Sequence, residues 1–325
     1  MSILAKKYFR DEAAAFRHLE GIMWPHGPVC PHCGTVDNAG RLEGVRGKPS
    51  KKNPEGPIRH GLWKCRSKEC RKQFTVKVKT VFEDAHLPLH KMLQAVHLLC
   101  SSKKGFSAHQ LHRILEVDYK SAWFLAHRVR EAMRDGVLAP MGGHGKVVES
   151  DETFVGRLVG VPKQRGYAHK NVVLTLVERG GSARSFHVES TSIADVAPIL
   201  RQNIRRESRL HTDEAGHYKE VGAEYAEHGT VSHKNEEYAR HEGEHLITTN
   251  TVEGFYSIFK RGMKGVYQHC KEKHLHRYLS EFDFRYNNRV ALGVDDQDRA
   301  AKALKGIAGK RLTYRSPPDY QLPGF

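Results

Sequence analysis

Residues 147–155 read Val147-Val148-Glu149-Ser150-Asp151-Glu152-Thr153-Phe154-Val155, an apolar stretch with acids at its centre. Its length and its content of Val, Thr and Phe predict a β-strand. A carboxylate inside a strand costs stability unless it is solvated, paired or bound to a metal ion. Asp151 is therefore a candidate metal ligand. A solvent-facing acid on an edge strand, with Glu149 and Glu152 as neighbours, would show the same pattern.

The following residues predict the rest of an α/β domain. Strands are expected at 171–178, 183–189, 209–213 and 229–233, and helices at 193–206, 251–263 and 272–289. In a ribonuclease H-like fold the first acid lies on the first strand, the second follows the fourth strand, and a later helix carries the third. Asp151, Asp213 and Glu253 fall at those places in the predicted order.

Two of these acids also have simpler interpretations. Asp213 would cap the next helix if one began directly after it. Glu253 stands three residues after Asn250, which is the spacing of a capping box. If the three carboxylates converge, they can hold two hard cations about 3.5–4 Å apart. Lys260 lies seven residues after Glu253, two helical turns along the same face, where it would reach a DNA phosphate.

Two close cysteine pairs stand near the start of the chain, Cys30 with Cys33 and Cys65 with Cys70. Zinc takes four such ligands in structural sites, and the polar, turn-forming neighbours of these cysteines do not resemble a core. The pairs predict a zinc ribbon with structural Zn²⁺. The basic stretch 46–54 between them reads as a flexible loop. Trp63 and Phe74 suit either phosphate contact or the small core of the ribbon.

Apolar residues recur at helical spacing between 86 and 135, which predicts three helices. Ser107, followed by Gln110, is the expected N-cap and capping box of the second helix. The last two helices have helix-turn-helix proportions, although small helical bundles show the same periodicity. Three residues of the last helix are candidate DNA contacts, namely Lys120, Arg128 and Arg130.

The composition favours a nucleic-acid partner. The 325 residues carry a formal net charge of +16, and a surplus of that size repels itself unless a polyanion neutralises it. No secretory signal and no apolar run long enough to span a bilayer stands out. We therefore expect a cytoplasmic, nucleoid-associated protein that has no membrane partner.

Four stretches together resemble the zinc-ribbon-bearing DDE transposases of bacterial insertion sequences, the ISXO-type group. These stretches are Trp24-Pro25-His26-Gly27-Pro28-Val29-Cys30-Pro31-His32-Cys33-Gly34, Cys70-Arg71-Lys72-Gln73-Phe74-Thr75-Val76, Glu149-Ser150-Asp151-Glu152-Thr153-Phe154-Val155-Gly156 and Asn250-Thr251-Val252-Glu253-Gly254-Phe255, with the last continuing through Lys260-Arg261-Gly262 to Phe284-Arg285-Tyr286-Asn287. The set spans nearly the whole chain.

The resemblance implies a multidomain α+β protein: an N-terminal helix and zinc ribbon (1–85), a helix-turn-helix-like DNA-binding region (86–140), a ribonuclease H-like α/β catalytic domain (145–295) and a C-terminal tail (296–325). It implies Asp151, Asp213 and Glu253 as ligands of Mg²⁺ or Mn²⁺, with Lys260 as the accompanying basic residue. Members of the group differ in whether an Asn or a Glu is the third catalytic residue, so Asn250 stays a candidate; we prefer Glu253 because a carboxylate binds hard cations better.

The expected activity is hydrolysis of phosphodiesters at the ends of an insertion sequence, followed by strand transfer into target DNA. Double-stranded DNA is then the partner, both as the element end and as the target. Arg261 and Lys264 extend the basic face begun by Lys260 and are further candidate DNA contacts. Synapsis of two ends implies a homodimer or higher oligomer on DNA. The alternatives are a zinc-ribbon DNA-binding regulator with an inactive core and a ribonuclease H-like nuclease.

Overall fold

The computed structural model describes residues 2–51, 53–136 and 138–313. Within these limits the chain forms two compact units. The first comprises the described parts of 1–102, 107–133 and 295–325, and the second comprises 103–106 and the described parts of 134–294. Lys52 of the predicted basic loop and residues 314–325 of the predicted tail lie outside the described residues.

Helices and strands are labelled in chain order. The α-helices are α1 (Glu12–Met23), α2 (Leu89–Ser101), α3 (Ala108–Leu115), α4 (Tyr119–Met133), α5 (Ile193–Asn203), α6 (His217–Gly222), α7 (Asn250–Gly262), α8 (Leu275–Asn287) and α9 (Asp296–Lys305). The β-strands are β1 (Ala39–Leu42), β2 (Leu62–Cys65), β3 (Gln73–Phe74), β4 (Val147–Val155), β5 (Asn171–Glu178), β6 (Ala183–Val188), β7 (Arg209–Asp213), β8 (Glu227–Val231), β9 (Ala239–Glu242) and β10 (His245–Thr248). A π-helical turn, Met263–Tyr267, follows α7.

Helix α2 is the centre of the first unit. Its apolar face, which includes Met92, Val96 and Leu99, is buried, and it packs against α1, α4 and α9. Helix α9 begins after its N-cap, Asp295. The Asp295 carboxylate accepts hydrogen bonds from the Gln297 and Asp298 N–H groups, both at 2.8 Å. The first part of the predicted tail is therefore a helix that belongs to the core of this unit.

Strands β1, β2 and β3 form an antiparallel sheet beside the four cysteines. The stretch predicted as a flexible loop connects β1 to β2, and isolated bridges join Arg46 to Ile58 and Ser50 to Asn53 across it. The two sides of this insert therefore pair as an irregular hairpin. None of the helices in the described part of the chain is both long and apolar enough to cross a membrane.

A five-stranded mixed sheet organises the second unit, in the order β6-β5-β4-β7-β8. Strand β4 pairs antiparallel with β5 and parallel with β7, so it is the middle strand. The outer pairs are antiparallel for β5 with β6 and parallel for β7 with β8. Helices cover both faces: α5 and α6 contribute to one apolar cluster, and α7 and α8 to the other.

The sequence pattern predicts most of this sheet. Strands β4, β5 and β7 have the expected bounds, and β6 ends one residue early, at Val188. Strand β8 begins at Glu227, two residues before the expected start, and α5 ends at Asn203 rather than at residue 206. The pattern does not predict the hairpin of β9 and β10, because charged residues and histidines occupy half of its positions and hide the alternation.

Replacing Gly262 by alanine is expected to destabilise the protein by about 2 kcal/mol, within the range for overpacking. A Cβ at this last residue of α7 would lie 2.4 Å from Phe282 Cζ and 2.5 Å from the Lys104 carbonyl oxygen. Urea denaturation measures the change. Gly254 of the same helix has nothing within 4 Å of a Cβ, so Gly254→Ala is the control and should be neutral or stabilising. Equal effects of the two substitutions would contradict this packing.

Candidate functional site

Asp151 lies in the middle of the central strand, not on an edge strand. Its carboxylate accepts a hydrogen bond from the Glu152 N–H at 2.7 Å, and the Tyr256 hydroxyl donates to its backbone carbonyl at 2.5 Å. Burial, then the charge of Glu152, and further the charges of Asp213 and Glu253, raise the pKa of Asp151 to about 7. An acid so disfavoured in its ionised form is one that a nearby cation would stabilise.

Asp213 is the last residue of β7, next to β4 in the sheet. The parallel register pairs Glu149 with His211, an offset of 62 residues (211 − 149), and the same offset leads from Asp151 to Asp213 (213 − 151). The β4–β7 pairing ends at Glu149 with His211, so Asp151 and Asp213 each lie two residues beyond the last pair of these adjacent strands. Burial raises the pKa of Asp213 as well. It does not cap α6, since Gly216 holds that position.

Glu253 lies in the first turn of α7, with its side chain 41% exposed. Its carboxylate is 3.3 Å from His233 Nε2 and accepts a hydrogen bond from the Thr249 hydroxyl at 3.1 Å. The N-cap of α7 is Thr249. Asn250 is the first helical residue, and its side chain is exposed. The capping-box interpretation of Asn250 and Glu253 is therefore wrong.

The three carboxylates are close enough to raise the pKa of Asp151 together, but they are not drawn into a tight cluster. Across the described ranges, the four cysteines alone form a group of three or more metal-binding side chains whose ligand atoms all lie within 4.8 Å of one another. As a donor set, three carboxylates suit Mg²⁺ or Mn²⁺, which prefer oxygen ligands.

Lys260 lies on the same face of α7 as Glu253. Its ammonium is 5.6 Å from the centre of the Tyr256 ring, and the hydroxyl of that ring reaches the backbone of Asp151. Lys260, Arg261 and Lys264 are all exposed. Their contact with DNA beside the carboxylates stays a prediction.

Glu152 turns away from this group, to the opposite face of β4. Its carboxylate contacts His217 Nε2 at 3.0 Å and accepts a hydrogen bond from the Tyr218 hydroxyl. The hydrogen bond with Glu152 raises the pKa of His217. Glu152 is therefore held by hydrogen bonds on this face of β4.

The four predicted cysteines of the ribbon come together. Sγ–Sγ distances are 3.7 Å for Cys30 with Cys70 and for Cys33 with Cys65. Four sulfurs at about 2.3 Å from a tetrahedral zinc ion would be separated by about 3.8 Å, so the spacing fits zinc. Hydrogen bonds from Thr35 lower the pKa of Cys33 to about 6, which favours the thiolate that binds metal.

The rings near these cysteines form the core of the ribbon. Phe74 is buried, and Trp24 makes edge contacts with both Trp63 and Phe74. Of the two interpretations of Trp63 and Phe74, the structure favours packing. Cys100 is buried in α2, whereas Cys270 lies in an irregular segment after the π-helical turn and is only partly buried.

The capping box of Ser107 and Gln110 at α3 is confirmed. Lys120, at the start of α4, is exposed and stays a predicted DNA contact. The assignment of Arg128 and Arg130 as DNA contacts is wrong in this conformation, because they are only 8% and 2% exposed. Arg128 donates to the Glu83 carbonyl at 3.0 Å and covers the Phe124 ring. By helical periodicity both arginines lie close to the apolar face of α4. The sequence alone does not show whether side chains at the edge of that face are buried.

Comparison with known families agrees with these two centres. Residues 142–287 match the ISXO2-like transposase domain, and residues 10–73 match the transposase zinc-ribbon domain. The chain therefore carries the two domains of a zinc-ribbon DDE transposase. The first match contains Asp151, Asp213 and Glu253, and the second contains all four cysteines. No curated protein matches the chain significantly.

These two domains support an insertion-sequence transposase in general, and they suggest DNA as a partner. Sequence reasoning about this transposase misses Glu149, which is fully buried, and its partner Arg179. The available signal was the alternation of β4, which places Glu149 on the same face as Asp151. A buried carboxylate needs a partner, but the sequence does not show that the partner is Arg179.

Proposed function

We propose that this transposase cuts the ends of its insertion sequence and joins them to target DNA at a site where Asp151, Asp213 and Glu253 hold two Mg²⁺ or Mn²⁺ ions. The observation that carries the proposal is the placement of two aspartates on adjacent central strands, each two residues beyond the last β4–β7 pair, with Glu253 on the helix that packs against β4 and close enough to raise the pKa of Asp151. Two such ions would activate the attacking oxygen and stabilise the leaving oxygen of an in-line displacement.

The fold that we propose for the catalytic part, residues 145–295, is ribonuclease H-like. Support comes from the mixed sheet, in which the first three strands run antiparallel in sequence and the last two add in parallel beside the first. The ribbon (1–85) and the helical region (86–140) then serve to bind DNA, and the exposed Lys120 and the +16 net charge favour that role. Two element ends require a dimer or larger assembly.

Protein side chains have three roles in this chemistry. The carboxylates fix the metal positions, Lys260 holds a DNA phosphate beside them, and Tyr256 ties α7 to the strand that carries Asp151. No protein nucleophile is needed. The ring centres of Tyr267 and Tyr278 are 4.7 Å apart, and the Tyr267 hydroxyl donates a hydrogen bond to Glu281. Neither tyrosine is therefore placed as a recombinase nucleophile.

The direct test is a strand-transfer assay with the full chain, labelled element-end DNA and Mg²⁺, with EDTA as the control. Joined products that depend on Mg²⁺ would establish the proposal. Metal-dependent cleavage without joining would replace it with the nuclease alternative. Binding of the end DNA without reaction, over a panel of end sequences that includes the native one, would favour the regulator.

Lys260→Ala is expected to lower the rate of strand transfer about 10- to 100-fold, since a charge-assisted hydrogen bond to phosphate contributes about 1.5–3 kcal/mol. The matched control is Lys219→Ala, also an exposed lysine of the second unit, on α6 at the other face of the sheet; its effect should stay within about threefold. Single-turnover rates and DNA affinity are measured separately. If the two variants lost affinity equally at unchanged rate, Lys260 would be a general phosphate contact only.

A further inference from the structure

Glu149 is the most completely buried acid beside the catalytic group. Its side chain has no exposed surface. It accepts hydrogen bonds from the Thr251 N–H at 2.8 Å, the Thr251 hydroxyl at 2.8 Å and the Val252 N–H at 3.0 Å, and it pairs with Arg179 Nε at 2.7 Å. Removing a charge from water costs several kcal/mol, so such complete pairing indicates a defined task.

One part of that task is to cap a helix from another element. The N-cap Thr249 of α7 makes no side-chain capping bond, and Thr251 and Val252 carry two of the N–H groups left free in a first helical turn. Glu149 satisfies both from β4, and its charge is favourable at the positive end of the helix. The start of α7, and with it Glu253, is thereby attached to the strand that bears Asp151.

Arg179 extends the connection to the remaining element. Its guanidinium donates to the carbonyls of Leu246 at 2.7 Å and Thr248 at 2.9 Å, and lies 3.0 Å from His211 Nδ1. His211 is on β7, directly opposite Glu149 in the register.

The three residues Glu149, Arg179 and His211 form what we call the brace. Each metal-binding candidate lies within two residues of a brace contact: Asp151 follows Glu149 by two, Asp213 follows His211 by two, and Glu253 follows Val252 by one. Along a strand, residues two apart share a face. The brace therefore forms a layer next to the carboxylates, on the same side of the sheet.

We propose that Glu149 and Arg179 are positioning residues that set the spacing of Asp151, Asp213 and Glu253 for divalent-cation binding. This inference rests on the proposed function, because it assigns the brace a role at that same metal site. Three mutually repelling carboxylates on separate elements require an opposing connection, and within the described residues the brace joins all three elements through hydrogen bonds. Residues behind metal ligands typically contribute 10- to 100-fold in metal affinity.

The test measures Mn²⁺ binding to the zinc-loaded full chain without DNA, by the loss of the electron paramagnetic resonance signal of free Mn²⁺. Glu149→Gln should raise the half-saturating concentration at least about tenfold. Arg179→Lys keeps the charge at a partly exposed position but loses the fork of donors, and should weaken binding in the same direction. Glu281→Gln is the control: Glu281 is also fully buried and paired with an arginine, Arg285, one turn further along the same helix α8.

The outcomes separate the two proposals. The brace is supported if both brace variants bind Mn²⁺ more weakly while Glu281→Gln binds it normally. Binding is measured at temperatures well below the melting points of the variants in EDTA. Normal binding by the folded brace variants would overturn it and leave the proposed function intact. If Glu149→Gln did not fold, Arg179→Lys alone would decide. Absence of Mn²⁺ binding by the wild type would overturn the metal site itself, and the brace with it.

Discussion

Replacing Asp151 by asparagine is expected to abolish cleavage and joining, by about 10³-fold or more, while making the metal-free protein more stable at pH 8. The loss of activity follows from the loss of a metal ligand and of the charge that offsets the cation. Asparagine has nearly the same shape as aspartate, so the β4 strand should keep its pairing. Rates of end cleavage and strand transfer in Mg²⁺ and in Mn²⁺ measure the first effect.

The gain in stability follows from the pKa of Asp151, which the fold raises from 3.8 to about 7. A raised pKa means that the ionised form is destabilising in the folded state. That cost is absent below about pH 3.8, grows as the pH rises towards 7, and is complete above it. About three units at 1.36 kcal/mol each give at most about 4 kcal/mol at pH 8. Asparagine carries no such cost.

Thermal melts in EDTA between pH 4.5 and 8.5 check this sign. The stability difference between Asp151→Asn and the wild type should grow with pH and level off near pH 8. Added Mn²⁺ should stabilise the wild type and leave the variant nearly unchanged. A difference that is independent of pH, or strand transfer retained within tenfold, would contradict the assignment of Asp151.

Replacing Cys65 by serine is expected to remove zinc from the protein and unfold the ribbon. Cys65 is buried, and its neighbours in the ribbon core are few: Phe74, with Trp24 and Trp63 packed against it. A core of that size is too small to fold alone. Zinc binding in comparable small sites contributes about 10–16 kcal/mol, which becomes folding free energy. Zinc content by mass spectrometry and limited proteolysis of residues 24–85 measure the two effects.

Cys270→Ser is the matched control, because Cys270 is a partly buried thiol of the second unit. It should retain one zinc ion per chain and the wild-type proteolysis pattern. Chelation of the wild type should reproduce the Cys65→Ser pattern, and restored zinc should reverse it. A ribbon that stays protected from protease after zinc is lost would show that its rings suffice for folding.

Local sequence patterns predict much of this protein, for physical reasons. The strand of Asp151 is apolar and rich in β-branched residues, and the four cysteines have the spacing of a zinc site. Ser107 and Gln110 satisfy each other within one helical turn, so their capping box is visible without tertiary structure. Such features depend on neighbours in the chain.

Features that depend on distant neighbours are missed. Glu149 and Arg179 are 30 residues apart, and nothing local shows that their side chains meet. Arg128 looks like a DNA contact until its partners, Glu83 and Phe124, are known. Convergence of the three carboxylates is inferred from strand order, whereas their spacing depends on the register of β4 with β7.

Strand β4 cannot gain or lose a residue without exchanging its two faces. Glu149 and Asp151 face α7, while Ser150 and Glu152 face Tyr218 of α6. Inserting or deleting a single codon within the strand would exchange the two sets, because successive side chains point to opposite faces. Ser150 and Glu152 would then meet α7, and Asp151 would enter the other layer. Insertions are therefore tolerable in the ribbon hairpin but not between 147 and 155.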